Sequence, residues 1–246
     1  MRDAVRPSLE RYGIVEPNVD PVDWMLSRFE GRSCCFVQIG SNDGKNGDPL
    51  YNWVLRERQW TGLLIEPIPY LFERLKANYA GRDGLKFLNA AIAERRGRLI
   101  LWSILPEAGP ELGLPFWFDQ LSSFDRGNLT RHFGPEIAPY LIEVDVPCVT
   151  LEEALDGAGI GNVDIVHVDA EGYDPLILRQ IDFKRIRPSF VLYEHKHMAP
   201  DAKDECRRMF TNNGYVVKED EVDSLAESKA SWPTIRRWCH WARERA

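Results

Sequence analysis

The chain has 246 residues, 44% of them hydrophobic and 28% charged, which is ordinary for a globular protein with one large core. Its formal net charge of −7, without a dense basic block, disfavours nucleic acid as a partner. The chain has no apolar signal segment and no run of 18 apolar residues, and its five cysteines form no C-x-x-C pair. We therefore expect a cytoplasmic protein with reduced thiols and no membrane partner.

Apolar runs and helix signals alternate along most of the chain. Residues 1–33 are mixed in character and interrupted by prolines, and we expect them to form an N-terminal helical cover with a short helix at 23–29. The remainder, 34–246, is expected to be one domain. Its predicted strands are 34–39, 62–66, 85–92, 98–102, 163–168, 189–193, 215–218 and 224–227, and its helices begin near 49, 69, 150, 175 and 200. This alternation predicts an α/β fold, a mostly parallel sheet with helices on both faces.

Residues 103–147 break this alternation and are rich in Pro, Gly and aromatic residues. An irregular stretch of this length inside a compact domain is typically a binding insert, so we expect it to form a lid over a site. The alternative is a surface hairpin that packs around a small hydrophobic cluster of its own.

A glycine-containing turn follows the first predicted strand. The segment 36–44 (FVQIGSNDG) ends an apolar run in Gly40 and Gly44, and the next apolar run ends in Glu66. In α/β proteins such glycines let a nucleoside approach the backbone at a helix N-terminus, and the acid accepts hydrogen bonds from the ribose. The pattern therefore predicts an adenosine-bearing cofactor, although two glycines alone could form an ordinary turn.

The spacing of the glycines distinguishes between cofactors. A dinucleotide site needs G-x-G-x-x-G, whereas the glycines here are Gly40, Gly44 and Gly47. Asn42 and Asp43 follow the first of them, where a carboxylate would repel a pyrophosphate. A sulfonium nucleoside with an amino-acid tail carries positive charge and no phosphate, so it suits Asp43 better. The predicted cofactor-binding residues are Gln38, Gly40, Asn42, Asp43, Gly44, Glu66, Asn89, Ala91 and Asp169.

Polar residues also follow two later strands. Asp169 and Glu171 follow one, and the segment 194–197 (EHKH) follows the other. Because ligands bind beyond the carboxyl ends of parallel strands, we expect these groups on one rim of the sheet. Each has a structural alternative: Asp169 could form a salt bridge, and Glu171 could cap a helix or pair with an arginine. Either histidine could be an ordinary surface residue or one whose hydrogen bonds are satisfied within the fold. Asp174 is predicted to be a helix N-cap.

Several segments, specific as an ordered set, resemble the FkbM family of S-adenosylmethionine-dependent methyltransferases over residues 34–228. They are QIGSNDG (38–44), LSS (121–123), VPCVTL (146–151), HVDAEG (167–172) and DSLA (223–226). The resemblance implies a Rossmann-like fold of seven strands with the last antiparallel, S-adenosylmethionine as cofactor, and O-methylation of a hydroxyl on a sugar or a polyketide-type natural product. Two residues depart from the family's pattern. Gln38 replaces an acid, which weakens the contact to the methionyl amine, and His167 replaces a lysine.

Methyl transfer to a hydroxyl needs a base or a metal ion. The predicted catalytic residues are Asp169, Glu171 and His195, with either His195 or His197 taking the proton. Alternatively, Mg²⁺ assists, because it prefers oxygen ligands. The predicted metal ligands are Asp169, Glu194 and His195.

The remaining expectations concern partners and rival functions. The insert would cover a small-molecule or oligosaccharide acceptor, whose hydroxyls Asp125, Arg126 and His132 could bind, and a C-terminal helix with Trp238 and Trp241 could form a homodimer. An NAD-linked oxidoreductase is one rival, but it needs the missing dinucleotide turn. A non-catalytic nucleoside-binding protein is the other, and it would not need the acids and histidines of the rim.

Overall fold

The structure is a computed structural model that describes residues 20–115 and 117–230. In chain order its elements are α1 (Pro21–Ser27), β1 (Cys35–Ile39), α2 (Tyr51–Arg56), β2 (Thr61–Ile65), α3 (Pro69–Asn78), β3 (Leu85–Leu88), β4 (Ala91–Ile92), β5 (Gly97–Ile104), α4 (Ala108–Leu112), α5 (Arg126–Phe133), β6 (Leu141–Val149), α6 (Leu151–Gly157), β7 (Ile165–Val168), α7 (Asp174–Leu178), β8 (Phe190–Glu194), α8 (Pro200–Asn212), β9 (Tyr215–Glu219) and β10 (Asp223–Ser228). Two short 3₁₀ turns, Phe118–Gln120 and Pro135–Tyr140, flank α5.

Seven strands form one sheet in the order β3-β2-β1-β7-β8-β10-β9. β1 pairs in parallel with both β2 and β7, whereas β10 is antiparallel to β8 and β9. This arrangement confirms the predicted α/β, Rossmann-like fold with an antiparallel last strand. The strand order reverses between β1 and β7, and in open sheets of this kind ligands bind outside the carboxyl ends of the strands at that point.

Helices cover both faces of the sheet, as predicted. Helices α1, α2 and α3 pack on one face together with Phe36, and α6, α7 and α8 pack on the other together with Val37 and Ile39. Successive residues of β1 thus enter opposite cores, and both cores are buried. For this reason the strand appears in the sequence as a continuous apolar run and not as an alternating one.

The insert 103–147 is more regular than its composition predicts. β5 and β6 form an antiparallel pair, and β4 pairs with the other edge of β6 to complete a second, three-stranded sheet. The helices and 3₁₀ turns between β5 and β6 contribute to a separate hydrophobic cluster that includes Ile104 and Leu129. The insert is therefore a hairpin with a small core of its own, and its role as a lid remains a prediction.

The single strand predicted at 85–92 is in fact two strands. β3 ends at Leu88 in the large sheet, and β4 begins at Ala91 in the small one. Between them Asn89 Nδ2 donates hydrogen bonds to the carbonyl oxygens of Glu66 and Pro67, at 2.8 and 3.0 Å. An apolar run gives no sign that the chain changes sheets in its middle, so periodicity alone predicted one strand.

Two expectations concern the ends of the chain. The short helix expected at 23–29 is found as α1, which Asp20 caps by accepting hydrogen bonds from the N–H groups of Val22 and Asp23. Trp238 and Trp241, and the dimer expected through them, lie outside the described residues. Within 20–115 and 117–230, no helix combines the length and the apolar character needed to cross a membrane.

Replacing Gly40 with Ala is expected to lower the free energy of unfolding by at least about 2 kcal/mol. Gly40 has a φ of +78°, which disfavours L-residues, and a Cβ atom there would lie 1.8 Å from the carbonyl oxygen of Asp169. Gly47→Ala is the matched control, because Gly47 has a φ of +77° with open space around it. Urea denaturation of both variants measures the difference, and equal losses would contradict the clash.

Candidate active site

A cleft opens at the carboxyl ends of β1, β2 and β7, next to the point where the strand order reverses. The cleft is partly open to solvent. Several residues predicted to act here line it. They are Gly40, Asn42, Glu66, Ala91 and Asp169 from the predicted cofactor site, and Glu171 from the predicted catalytic site.

The turn after β1 is fixed by the strands on both sides of it. The N–H of Gly40 donates to Ile65 O on β2 at 3.1 Å, and on the other side the N–H of Asp169 donates to Ile39 O at 3.0 Å. The missing side chain at Gly40 lets the backbone after β7 come into direct contact with this turn. The cleft wall is therefore built from two loops that touch each other.

Glu66 ends β2 and is the acid of the predicted ribose site. Its Oε2 accepts a hydrogen bond from the N–H of Asn42 at 2.9 Å, and its Oε1 accepts one from the N–H of Ile68 at 2.8 Å. Burial raises the pKa of Glu66 to about 7, although these two hydrogen bonds favour the charged form. Both oxygens are thus oriented by backbone donors, and their remaining lone pairs can accept hydrogen bonds from ribose hydroxyls.

Asp43 and Gly44 lie beside the cleft and not on its wall. The Asp43 carboxylate accepts hydrogen bonds from the N–H groups of Lys45 and Asn46, both at 2.9 Å, and so closes the turn. A Cβ atom on Gly44 would lie 2.3 Å from the side chain of Leu75 on α3. The structure thus gives both residues a part in shaping the turn. Gln38 and Asn89, also predicted to bind the cofactor, are not among the residues that line the cleft.

Three side chains form a compact group on the rim beside the cleft. The ligand atoms of Glu171, Glu194 and His197 all lie within 4.8 Å of one another. His197 Nε2 is 3.7 Å from Glu194 Oε1, while Glu194 Oε2 is buried without a hydrogen-bond partner. Glu171 has a φ of +50°, and strained residues of this kind concentrate at functional sites. We call Glu171, Glu194 and His197 the rim group.

Burial and mutual repulsion raise the pKa values of the acids on this rim. Burial raises the pKa of Glu171 to about 9, and the charges of Asp169 and Glu194 add to the effect. The pKa values of Glu194 and Asp169 are each raised to about 7 by burial and by neighbouring carboxylates. Lys196 acts in the opposite direction on Glu171 and Glu194. Acids crowded in this way are suited to receive a positively charged ligand.

His195 does not join the rim group, although sequence analysis placed it among the catalytic and metal-binding residues. Its Nδ1 is 2.9 Å from Ser224 Oγ on β10, and the residue is 6% exposed. The charged residues that act on it include Lys203 of α8 and Glu219 of β9. The structure therefore brings His197, two residues further along the chain, to the position expected for His195. Asp169 lies next to the rim group but is not one of its three members.

Asp174 is not a helix N-cap, contrary to prediction. It is the first residue of α7, and its buried carboxylate accepts hydrogen bonds from the N–H groups of Ala170 and Gly172, at 3.3 and 3.1 Å. Both bonds lie on the loop that carries Glu171, which turns sharply through two residues of positive φ. Asp174 therefore holds the shape of this loop.

The insert reaches the rim group. Phe124 lines the cleft, and on α5 the Nδ2 of Asn128 donates to the carbonyl oxygen of Glu171 at 3.4 Å. The rings of His132 and His197 are 6.1 Å apart. The hairpin of the second sheet thus contributes side chains to the edge of the site.

The described residues that line the cleft include three acids but no lysine or arginine. A dinucleotide brings a pyrophosphate that needs positive charge or a helix N-terminus, and acids on the wall would repel it. A sulfonium nucleoside carries the opposite charge. The lining therefore fits S-adenosylmethionine better than NAD.

The sequence profile of the Methyltransferase FkbM domain matches residues 38–217. The chain belongs to the FkbM methyltransferase family. The match runs from β1 into β9, and it confirms the resemblance found in the sequence motifs. The protein is an S-adenosylmethionine-dependent methyltransferase. No protein of curated function matches its sequence.

Solved structures with a similar chain path share little sequence with this methyltransferase. The fibrillarin pre-rRNA processing protein of Methanococcus jannaschii is 10% identical, with a TM-score of 0.44 over 86% of this chain and 70% of that one. Precorrin-6y C5,15-methyltransferase from Geobacter metallireducens is 10% identical, with a TM-score of 0.41 over 85% and 87%. M. capricolum TrmK, solved with S-adenosylhomocysteine, is 11% identical, with a TM-score of 0.40 over 86% and 69%. Similarities this distant say nothing about the substrate.

The stability of the ligand-free protein is expected to fall as the pH rises from about 5 to about 9. The pKa of Glu171 is raised from 4.5 to about 9, so in this window the folded state retains a proton that the unfolded chain releases. Glu171→Gln removes this contribution and should flatten the dependence of Tm on pH. In a chain of this size each kcal/mol corresponds to about 2–4 °C in Tm. A variant with the same slope as the wild type would contradict the raised pKa.

Proposed function

We propose that the protein transfers a methyl group from S-adenosylmethionine to a hydroxyl of a sugar, a polysaccharide or a glycosylated natural product. The observation that carries this proposal is the rim group, which joins the donor cleft through Glu171. S-adenosylmethionine supplies a sulfonium methyl group that an oxygen nucleophile takes by direct displacement. Most of the catalysis would come from positioning the acceptor oxygen in line with that methyl group.

A hydroxyl is a poor nucleophile at neutral pH and needs a proton acceptor. Burial lowers the pKa of His197, and the nearby Lys196 and His132 lower it further, so the imidazole is neutral at pH 7. A neutral ring can take the proton of an acceptor hydroxyl. Glu194 Oε1, 3.7 Å from Nε2, can then stabilise the imidazolium. His197 is therefore the base of this proposal.

The rim group also fits Mg²⁺, because two carboxylates and one imidazole supply mainly oxygen ligands. The unpartnered Oε2 of Glu194 is an open ligand position, and Asp169 adds negative charge nearby. A divalent cation held there would lower the pKa of a bound hydroxyl. Vicinal sugar hydroxyls can chelate such an ion, which favours a carbohydrate acceptor.

The insert supports the same acceptor class, and we propose that it covers the acceptor. Of the three residues considered for hydroxyl binding, only His132 lies against the rim group. The Asp125 carboxylate is occupied by hydrogen bonds from Gly127 N–H and the Arg131 guanidinium, at 2.8 Å each. The Arg126 guanidinium lies 5.2 Å from the centre of the Trp102 ring. Of these three residues, His132 is therefore the best placed to contact an acceptor.

His197→Asn is expected to lower kcat by about 100-fold or more, the usual loss when a general base is removed. His195→Asn is the matched control: it loses the contact with Ser224 and some stability, but it should retain kcat. The assay follows labelled methyl transfer to a panel of glycans and glycosylated natural products, with mass spectrometry locating the O-methyl group. If His197→Asn kept its turnover and His195→Asn lost it, the general base would be His195 and not His197. Transfer only to acceptors without sugar would overturn the acceptor class.

Mg²⁺ is expected to raise the Tm of the wild type and EDTA to reduce its turnover, because the cation binds the folded state only. Glu194→Gln should abolish both effects. Glu143→Gln, at an exposed position on β6, is the control and should respond like the wild type. Turnover that is unchanged by EDTA, together with a Tm that Mg²⁺ leaves unchanged, would show that His197 acts without a metal.

A further inference from the structure

One segment of the insert, residues 119–124, runs along the donor cleft. Four of its residues line the cleft: Gln120, Ser122, Ser123 and Phe124. At one end the Nε2 of Gln120 donates a hydrogen bond to the carbonyl oxygen of Asn46, in the turn after β1, at 3.3 Å. At the other end the ring centres of Phe124 and Tyr173, in the loop after β7, are 4.7 Å apart. The segment thus touches both of the loops that form the cleft wall, and we call it the strap.

The strap and the two loops enclose part of the cleft. The loops touch each other where the carbonyl oxygen of Asp169 approaches Gly40, and the strap touches each of them at a second place. A ligand in the cleft would therefore contact the strap as well as the ends of the strands. Interactions that hold the strap in place would also slow the departure of that ligand.

Asp119, the first residue of the strap, attaches it to helix α3. Its Oδ2 lies 2.9 Å from Arg74 Nη1, and its backbone carbonyl accepts a hydrogen bond from the Tyr70 hydroxyl at 2.7 Å. Arg74 and Tyr70 are one helical turn apart, and the guanidinium lies 5.3 Å from the centre of the Tyr70 ring. Asp119 is 8% exposed, and a carboxylate this buried needs a charged or hydrogen-bonding partner. The pair with Arg74 therefore anchors the strap.

The contacts of the strap differ on its two sides. Toward the insert they are backbone hydrogen bonds and apolar packing: Ser123 exchanges two hydrogen bonds with Trp102 on β5, at 2.8 and 3.0 Å, and Leu121 is buried in the insert's own cluster. Toward the large sheet they are mainly side-chain contacts, each of which contributes little by itself. These contacts can break briefly while the fold stays intact, so the strap can release a ligand without unfolding.

We propose that the strap retains the methyl donor and that Asp119 is a positioning residue, whose pairing with Arg74 keeps the strap against the bound donor. Sequence analysis assigned the whole insert to the acceptor. In this assignment the strap covers the donor, whereas α5, which reaches the rim group, covers the acceptor. The proposal rests on S-adenosylmethionine as the donor and is independent of the acceptor.

The rate at which S-adenosylhomocysteine leaves the full-length protein tests this proposal. Asp119→Asn preserves the shape of the side chain and the backbone acceptor for Tyr70 while removing the charge that pairs with Arg74. In surface plasmon resonance its dissociation rate constant is expected to rise about 3- to 10-fold, between the effects of losing an exposed ion pair and a buried charged hydrogen bond. Its association rate constant should not fall. Arg74→Gln should give the same change and the double variant no larger one, because both substitutions remove the same pair.

The matched control is Asp145→Asn, which removes an ion pair with Arg98 of 2.8 Å in the second sheet, away from the residues that line the cleft. It should leave both rate constants unchanged. Because the Arg74 side chain is 52% exposed, Arg74→Gln keeps the test available even if Asp119→Asn does not fold.

Three results would overturn the proposal. They are a dissociation rate constant within twofold of the wild type, a rise no larger than in Asp145→Asn, and a fall in the association rate constant, which would mean that Asp119 shapes the cleft itself. Effects of Asp119→Asn and Arg74→Gln that add in the double variant would also contradict a shared anchor. A protein that shows the expected rates but methylates no glycan would contradict the proposed acceptor alone.

Discussion

The close approach between the turn after β1 and the loop after β7 is the constraint on which the site depends. Gly40 has no side chain, and Asp169 places its carbonyl oxygen in the space that a Cβ atom would occupy. This contact links the turn that Glu66 holds, the acid of the predicted ribose site, to the loop that carries Glu171. The donor cleft and the rim group therefore share one wall.

The second feature of the site is its concentration of buried acidic groups. Glu66, Asp169, Glu171 and Glu194 all have raised pKa values, and burial is the largest cause in each case. Keeping such groups away from water destabilises the ligand-free protein. A sulfonium and a divalent cation would each offset part of this cost. The ligand-free protein is therefore less stable than it would be without these buried acids, and a bound cationic ligand would restore part of the lost stability.

The elements that sequence analysis predicted well are those marked by local signals. The helix expected at 200–212 is α8, which begins at Pro200 and ends just before Asn213 and Gly214. The capping box of Thr150 and Glu153 is present at the start of α6. The second sheet has no such local signal. Its strands β5 and β6 pair across a long loop, and β4 belongs to this sheet although only a short turn separates it from β3 of the large sheet. Pairing between distant segments does not change the local pattern of apolar residues.

The sequence by itself determined the α/β class, the glycine turn and the acid after the second strand. These features depend on the period of apolar residues, on the conformational freedom of glycine and on the point where a strand ends. Only the tertiary structure decided that His197 and not His195 meets Glu171 and Glu194, and that Phe124 lies against Tyr173. Side chains close together at the end of a strand point in different directions. The packing of β10 and α8 determines which histidine reaches the rim group. Residues of separate loops become neighbours only when the sheet brings those loops together.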